Sequence, residues 1–276
     1  MSDVRLITVT FNSSDVIGPF LDSVPDTVEL VVVDNASSDD TVQKVRANGS
    51  ALIELPENLG FGTACNKGAA GAKTPYLFFV NPDARLEPGC IEVLVAAAEK
   101  HPKAGAFNPA ILSPSGDVRL NRRSCILPRA LWTDKALASS DPNISTAVHM
   151  LSGAALFCRR DAYEEIDGFD PNIFLYHEDD DLSVRMAKAG WQLRLEHSAR
   201  VTHIGGAGSG NSVAAAAFKA KEIARSRLYV ERKHGIAWPR LRGYGRASAK
   251  LLSPLSLLSR RKRAQAIAYF QGVRDY

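Results

Sequence analysis

Short apolar runs, each ending in a knot of polar residues, recur through the first two thirds of the chain. Residues 4–10 form the first, largely β-branched, and run into Asn12-Ser13-Ser14-Asp15, which offers N-cap chemistry for a helix from about Val16 to just before Pro25. Residues 28–33 are the second and end at Asp34-Asn35-Ala36-Ser37-Ser38-Asp39-Asp40, with a helix expected over 41–47. Residues 51–55 stop at Pro56-Glu57-Asn58, and residues 66–72 read as helix. Residues 76–80 are apolar without a break, lie between Pro75 and Pro82, and run into Asn81-Pro82-Asp83. A run this short with no alternation reads as a strand buried on both faces. Pro82 has no N–H to give and ends the ladder.

Strands alternating with helices at this spacing predict an α/β fold: a mostly parallel central sheet, right-handed crossovers and helices on both faces. The knots at Asn12, Asp34 and Asp83 then share the carboxyl edge of the sheet, where open α/β folds bind ligands. Asp83, the first charged group beyond the central strand, is a candidate for holding a metal ion or a phosphate-bearing ligand; an isolated Asp in such a place also serves as a cap or turn residue. Gly60-Phe61-Gly62-Thr63-Ala64-Cys65 is not a dinucleotide fingerprint. Cys65 stands where Gly or Ala is needed, and the segment follows the third strand with no acid placed for a ribose. Its glycines still permit close backbone approach to a ligand, between Asn58 and Asn66.

A helix over 91–100 and a strand over 104–111 come next, then a stretch rich in Ser, Pro, Asn and Arg to about residue 144 that reads as an excursion over the site. Arg122 and Arg123 within it are placed either to close on a diphosphate or as ordinary loop charges. Leu151-Ser152-Gly153-Ala154 is a small-residue turn into a strand, with a helix over 163–166 after it. Glu178-Asp179-Asp180-Asp181 lies between aromatic residues and an amphipathic helix over 182–189, so the acids occupy a first helical turn, where the macrodipole favours negative charge. Asp181 with Arg185, four residues on, is the structural pair. Glu178, Asp179 or Asp180 is left for chemistry, with burial raising its pKa towards general-base range. Strands over 192–195 and 199–204 bring His203 to Gly205-Gly206, either as a metal or phosphate contact or as an ordinary core histidine.

Composition adds two constraints. The 276 residues fit one large domain or a domain with an appendage, and the four cysteines, without a Cys-x-x-Cys pair or a signal-peptide pattern ahead of them, read as free thiols in a reducing, cytosolic compartment. No apolar run approaches the roughly 18 residues of a membrane span. Residues 218–276 carry 15 Lys and Arg against 3 Asp and Glu, a net of +12, which leaves residues 1–217 at −8. A basic tail on an acidic body calls for an anionic partner: lipid headgroups, diphosphates or nucleic acid. In that tail residues 218–230 read as helix, and Leu251, Leu252, Leu255, Leu257 and Leu258 precede Arg260-Arg261-Lys262-Arg263, with Pro254 breaking the helix. This element is read as a peripheral attachment to an anionic membrane surface, with a homodimer interface as the competing reading.

Together these residues resemble the inverting nucleotide-sugar glycosyltransferases of family 2, with the GT-A fold, and within them a bacterial rhamnosyltransferase-like branch. The resemblance runs from Val4 to Gly206 and rests on an ordered series: Val9-Thr10-Phe11-Asn12, Val33-Asp34-Asn35-Ala36-Ser37, Asn58-Leu59-Gly60-Phe61-Gly62 with Asn66, Asn81-Pro82-Asp83, Ser152-Gly153-Ala154, Glu178-Asp179-Asp180-Asp181-Leu182 with Arg185, and His203. It implies that Thr10, Asp34, Asn35, Asn58 and the Gly60-Phe61 backbone hold the nucleoside of the donor, with Asn12, Asn66, Asn81, Ser152 and Gly153 also on the donor. Asn81-Pro82-Asp83 stands where the family has Asp-x-Asp, with Asn81 in place of the first acid. Asp83 is then a ligand of Mg²⁺ or Mn²⁺ against the diphosphate and His203 a second ligand, while Asp179 matches the catalytic base.

The resemblance also implies a GT-A domain over 1–211 and a basic helical extension over 212–276. The reaction implied is inverting transfer of rhamnose from dTDP-rhamnose to a saccharide or polyprenyl-diphosphate-linked saccharide in cell-envelope polysaccharide synthesis, at the cytoplasmic face of the inner membrane, with no role for nucleic acid. A UDP-hexose donor and a non-catalytic sugar-nucleotide binder are the alternatives. Nucleotidyl transfer would need a Gly-rich, Arg-bearing loop after the first strand, and Phe11-Asn12-Ser13-Ser14 is not one.

Overall fold

The computed structural model describes residues 3–118, 124–128, 131, 145–205 and 212–276. Strands β1 (Val4–Thr10), β2 (Glu29–Asp34), β3 (Ala51–Glu54) and β4 (Tyr76–Val80) lie in parallel in the order β3-β2-β1-β4. Helices α1 (Ile17–Leu21), α2 (Thr41–Asn48) and α3 (Phe61–Ala69) make the crossovers. Every residue of β4 is buried, as its unbroken apolar run requires.

Beyond β4 the sheet becomes mixed. The later elements are β5 (Ala84–Leu86), α4 (Cys90–Lys100), β6 (Ala104–Leu112), β7 (Thr146–Val148), β8 (Ala155–Arg159), α5 (Arg160–Glu165), α6 (Glu178–Lys188) and β9 (Gln192–His203). β8 runs antiparallel between β4 and β6, while β9 is parallel to β6 and antiparallel to β5 and β7. The antiparallel β8 brings the turn before it, Ser152 to Ala154, to the same edge as the ends of β1, β2 and β4.

Side-chain alternation divides the core into two layers. Leu6, Val32 and Phe78 pack with Phe20, Leu94 and Phe157 on one face. Their neighbours Ile7, Val33 and Phe79 pack with Phe169, Leu182 and Met186 on the other. Phe169 is fully buried, in edge-on contact with Phe61, Phe79 and Tyr163. Helices therefore cover both faces, as the alternation of apolar runs predicts. The four cysteines are unpaired.

Several elements differ from the sequence expectation, among them the unforeseen β7 and an α5 that begins at Arg160. α3 begins at Phe61, five residues early, because Gly60 is its N-cap at φ 85° and Gly62 lies in its first turn; both glycines read as loop residues. Packing requires them, since a Cβ on Gly62 would stand 2.8 Å from Phe169 Cβ. β9 is one strand through the polar Glu196-His197-Ser198, with its pairing to β6 shifting between Pro109 and Ala110. β5 was not expected at all. Arg122, Arg123 and Gly206 lie outside the described residues.

The remaining helices are α7 (Val213–Lys233), α8 (Pro239–Leu251), α9 (Pro254–Leu258) and α10 (Arg260–Arg274). They have a core of their own, with Ala224, Leu228, Ala247, Tyr269 and Val273 at its centre. Polar contacts join them to the body: Lys233 Nζ stands 2.7 Å from Asp181 and 2.6 Å from Asp170, His234 Nε2 is 2.8 Å from Asp181, and Ser226 donates to the Leu175 carbonyl.

Candidate active site

The first cluster lies at the ends of β1 and β2. Asp34, only 2% exposed, accepts from the Thr10 hydroxyl at 2.9 Å and from the Ser37 N–H and hydroxyl at 2.8 and 2.5 Å. Asn12 closes the same turn, its N–H donating to Ser37 Oγ and its carbonyl oxygen accepting from the Ser38 N–H. Asn35 donates to Asn58 Oδ1 at 2.8 Å and accepts from the Leu59 N–H at 2.9 Å, while Asn58 also receives the Gly60 N–H. Gly60 lies against Phe174, whose carbonyl accepts the Phe61 N–H at 3.0 Å. Thr10, Asn12, Asp34, Asn35, Asn58, Gly60 and Phe61 are thus one connected structure.

Asn66 is not drawn into it. Its amide donates to the Phe169 carbonyl and accepts from the Phe169 N–H and the Tyr163 hydroxyl. That side chain fixes α3 against the corner after α5, so a direct donor contact from Asn66 has no support in its bonding.

The second cluster is at the end of β4. β5 and β9 pair with Ala84 opposite His203, which sets His203 Nε2 3.0 Å from Asp83 Oδ1 and 3.5 Å from Asn81 Nδ2. Asp83 is 6% exposed. The 3.0 Å contact is a hydrogen bond between the imidazole Nε2 and the carboxylate Oδ1. One carboxylate and one imidazole side by side are a donor set of the kind that Mg²⁺ or Mn²⁺ accepts.

The third cluster is joined to the second by backbone. The Asn81 N–H donates to the Ala154 carbonyl, and the adjacent Gly153 N–H donates to Asp179 Oδ2 at 3.1 Å. Asn108 holds this turn, taking the Ser152 N–H at 2.6 Å and donating to the carbonyls of Ser152 and Ala155. Asn108 was missed from the sequence, though a lone amide inside the apolar run of 104–111 was the signal. Tyr176 and His177, both left-handed at φ 68° and 67°, lead into the four acids of α6. Such a conformation costs roughly 1–2 kcal/mol per residue. Asn12 and Ala36 also have positive φ, so four of the six such non-glycine residues among those described lie at these clusters, where strain is commonly held for function.

The four acids divide by environment. Burial pushes the Asp179 carboxyl above its usual range, against the lowering pull of the Gly153 N–H. Burial first, and then the neighbouring Asp179 charge, push Glu178 up to about 8. Glu178 Oε2 is shut from solvent without a hydrogen-bond partner among the described residues. Burial also raises Asp180, but hydrogen bonds from His177, Ser124 and Cys125 outweigh it and hold the group below the usual carboxylate range. Asp181 is likewise opposed by burial, yet His234, Arg185 and Lys233 bring it down to about 2. The expected Asp181–Arg185 pair is present at 2.7 Å.

Cys125, His177 and Asp180 form a further group whose ligand atoms lie within 4.8 Å of one another. Its hydrogen bonds fasten residues 124–128 to the start of α6. Lys219 of α7, which the sequence did not single out, is half-buried and interacts electrostatically with both Asp83 and Arg261.

Comparison with known proteins supplies a context for this edge. Residues 6–167 match the sequence profile of Glycosyl transferase family 2. An N-acetylglucosaminyl-diphospho-decaprenol L-rhamnosyltransferase of Mycobacterium tuberculosis is 32% identical over 235 residues, covering 74% of this chain and 76% of the relative. A mannosyltransferase of Pyrobaculum calidifontis, solved in complex with GDP-Man and Mn²⁺, superposes with a TM-score of 0.60 at 18% identity, over 99% of this chain and 87% of its own. TarS 1-349 of S. aureus in complex with UDP gives 0.56 at 17% identity, over 99% and 81%. At those identities the two structures share the architecture of this chain.

Proposed function

The chain belongs to glycosyl transferase family 2, and from that premise we propose that it moves one sugar, L-rhamnose from dTDP-rhamnose, onto a polyprenyl-diphosphate-linked saccharide during synthesis of a cell-envelope polysaccharide. The donor sugar and the lipid-linked acceptor are taken from the mycobacterial relative. The observation that carries the chemistry is the half-buried Asp179 carboxylate held by the Gly153 N–H, one residue from the carbonyl that fixes Asn81.

In this reading Thr10, Asn12, Asp34, Asn35, Asn58 and the Gly60-Phe61 backbone hold the nucleoside, with Asn81, Ser152 and Gly153 nearer the sugar. Asn66 supports them from behind. Asp83 and His203 are the residues that would hold Mg²⁺ or Mn²⁺, which supplies charge neutralisation at the departing diphosphate. Asp179 takes the acceptor hydroxyl proton as the oxygen attacks the anomeric carbon and the bond to the nucleoside diphosphate breaks. A single displacement inverts that carbon. Glu178, protonated at neutral pH, leaves Asp179 as the one negative charge between them. No helix among the described residues is long and apolar enough to cross a membrane; peripheral attachment at the cytoplasmic face, where a lipid-linked acceptor is reached, belongs to the proposed function.

Thermal stabilisation by a panel of nucleotide sugars, with and without Mg²⁺ or Mn²⁺, tests the donor site. At a hundred times its Kd a ligand adds about 2.7 kcal/mol, or roughly 5 °C for a chain of this size. The expected result is a metal-dependent rise with dTDP-rhamnose that His203→Ala abolishes. A rise with UDP-hexoses alone would replace the donor, and no rise with any nucleotide sugar would overturn the reading.

A further inference from the structure

α8 carries exposed apolar side chains near both ends of its outer side. Its inner side is fixed by Gly243 and Ala247, both buried; a Cβ on Gly243 would stand 3.0 Å from Leu228 and 3.2 Å from Val273. Leu241 and Leu252 are 69% and 80% exposed and lie about three helical turns apart, so they project from one side of the helix, away from that packing. Trp238 caps α8 in a left-handed conformation at φ 56° and is 75% exposed. In α9, Leu255 and Leu258 are 64% and 87% exposed. No other described residue covers these side chains. Isolated exposed leucines are ordinary, but four leucines and a tryptophan exposed within residues 238–258 mark an interaction surface.

The residues after this surface limit its occupant. Arg260-Arg261-Lys262-Arg263 form the first turn of α10, all exposed and with no acid among them. A helix start disfavours cations, so this turn is held against its own dipole and gains from an external anion. Arg261 and Asp83 both interact electrostatically with Lys219 of α7.

We propose that the outer side of α8 and α9, with the Arg260–Arg263 turn, is a docking surface for an anionic phospholipid bilayer. It rests on the lipid-linked acceptor of the proposed function and assigns the face that meets the membrane. Trp238 and the leucines enter the boundary between headgroups and acyl chains, as amphipathic anchors do, and the cations meet lipid phosphates.

The test is flotation of the full chain with vesicles of phosphatidylcholine alone and of phosphatidylcholine mixed with phosphatidylglycerol. Wild type should float with the mixed vesicles only and be released by salt, with a blue shift in emission that Trp238→Phe removes. Leu252→Ser with Leu255→Ser and Leu258→Ser should weaken vesicle binding by about tenfold or more, while a water-soluble acceptor is glycosylated at the wild-type rate. Arg260→Glu with Lys262→Glu should also weaken binding and flatten the salt dependence. Equal flotation of wild type and both variants, or none by wild type, overturns the assignment. So does a dimer in analytical ultracentrifugation that the leucine variant dissociates, which would give the face to a second copy. Failure of wild type to glycosylate the soluble acceptor, with vesicle binding intact, would instead count against the sugar-transfer reading.

Discussion

Replacing Glu178 by Gln preserves the shape of the side chain and fixes it in the neutral form. The folded protein holds the Glu178 proton up to about pH 8, whereas the free side chain releases it near 4.5. Between those values the folded state binds more protons than the unfolded one, so stability falls as pH rises, by about 1.4 kcal/mol per unit for this group. From pH 6 to pH 8 that amounts to about 2.5 kcal/mol, or roughly 5 °C in Tm for a chain of this length. Gln cannot ionise and escapes the penalty. The Tm of Glu178→Gln should therefore gain on wild type by about that amount between pH 6 and pH 8, measured by calorimetry in matched buffers. Transfer near pH 7 should change little, because wild-type Glu178 is already neutral there. A Tm difference that stays constant across this range would refute the one-proton pair, and with it the reason for a single charge at Asp179.

Other substitutions separate scaffold from chemistry. Gly60→Ala places a Cβ 2.3 Å from the Phe174 carbonyl at φ 85°; the strain alone is about 1–3 kcal/mol, and both Tm and donor affinity should fall. Donor affinity equal to wild type would show that the Gly60–Phe174 contact does not shape the nucleoside cradle. Asp181→Asn leaves Arg185, Lys233 and His234 beside a neutral amide and should cost about 3–5 kcal/mol in denaturant unfolding. Because the Asp181 pKa is lowered from 3.8 to about 2, its stabilisation is complete above pH 4 and lost as pH falls towards 2. The variant should lack that part of the acid transition.

The parallel half of the fold was legible because each strand is a short, largely apolar run followed by Pro, Asn or Asp. β4 could be read from Tyr76 to Val80 and the two prolines alone. The second half was harder, since nothing local in residues 155–159 reveals that β8 runs antiparallel or that β9 continues through Glu196-His197-Ser198. In the site, the polar residues after each strand were visible as candidates. Their internal bonding was not: Asn66 and Asn58 look alike in sequence, yet one faces Phe169 and the other Asn35 and Gly60. Among the acids, the Asp181–Arg185 pair was evident from spacing. The separation of Glu178 and Asp179 from Asp180 depends on Ser124 and Cys125, more than fifty residues away.

The role of Asp179 is tested most directly by single-turnover transfer with Asp179→Asn, alongside donor binding by calorimetry. A general base contributes about 10²- to 10⁴-fold, so the rate should fall by that factor while donor affinity stays within about twofold of wild type. Transfer at the wild-type rate with Asn in that position would remove Asp179 as the base and leave the proposed displacement without a proton acceptor.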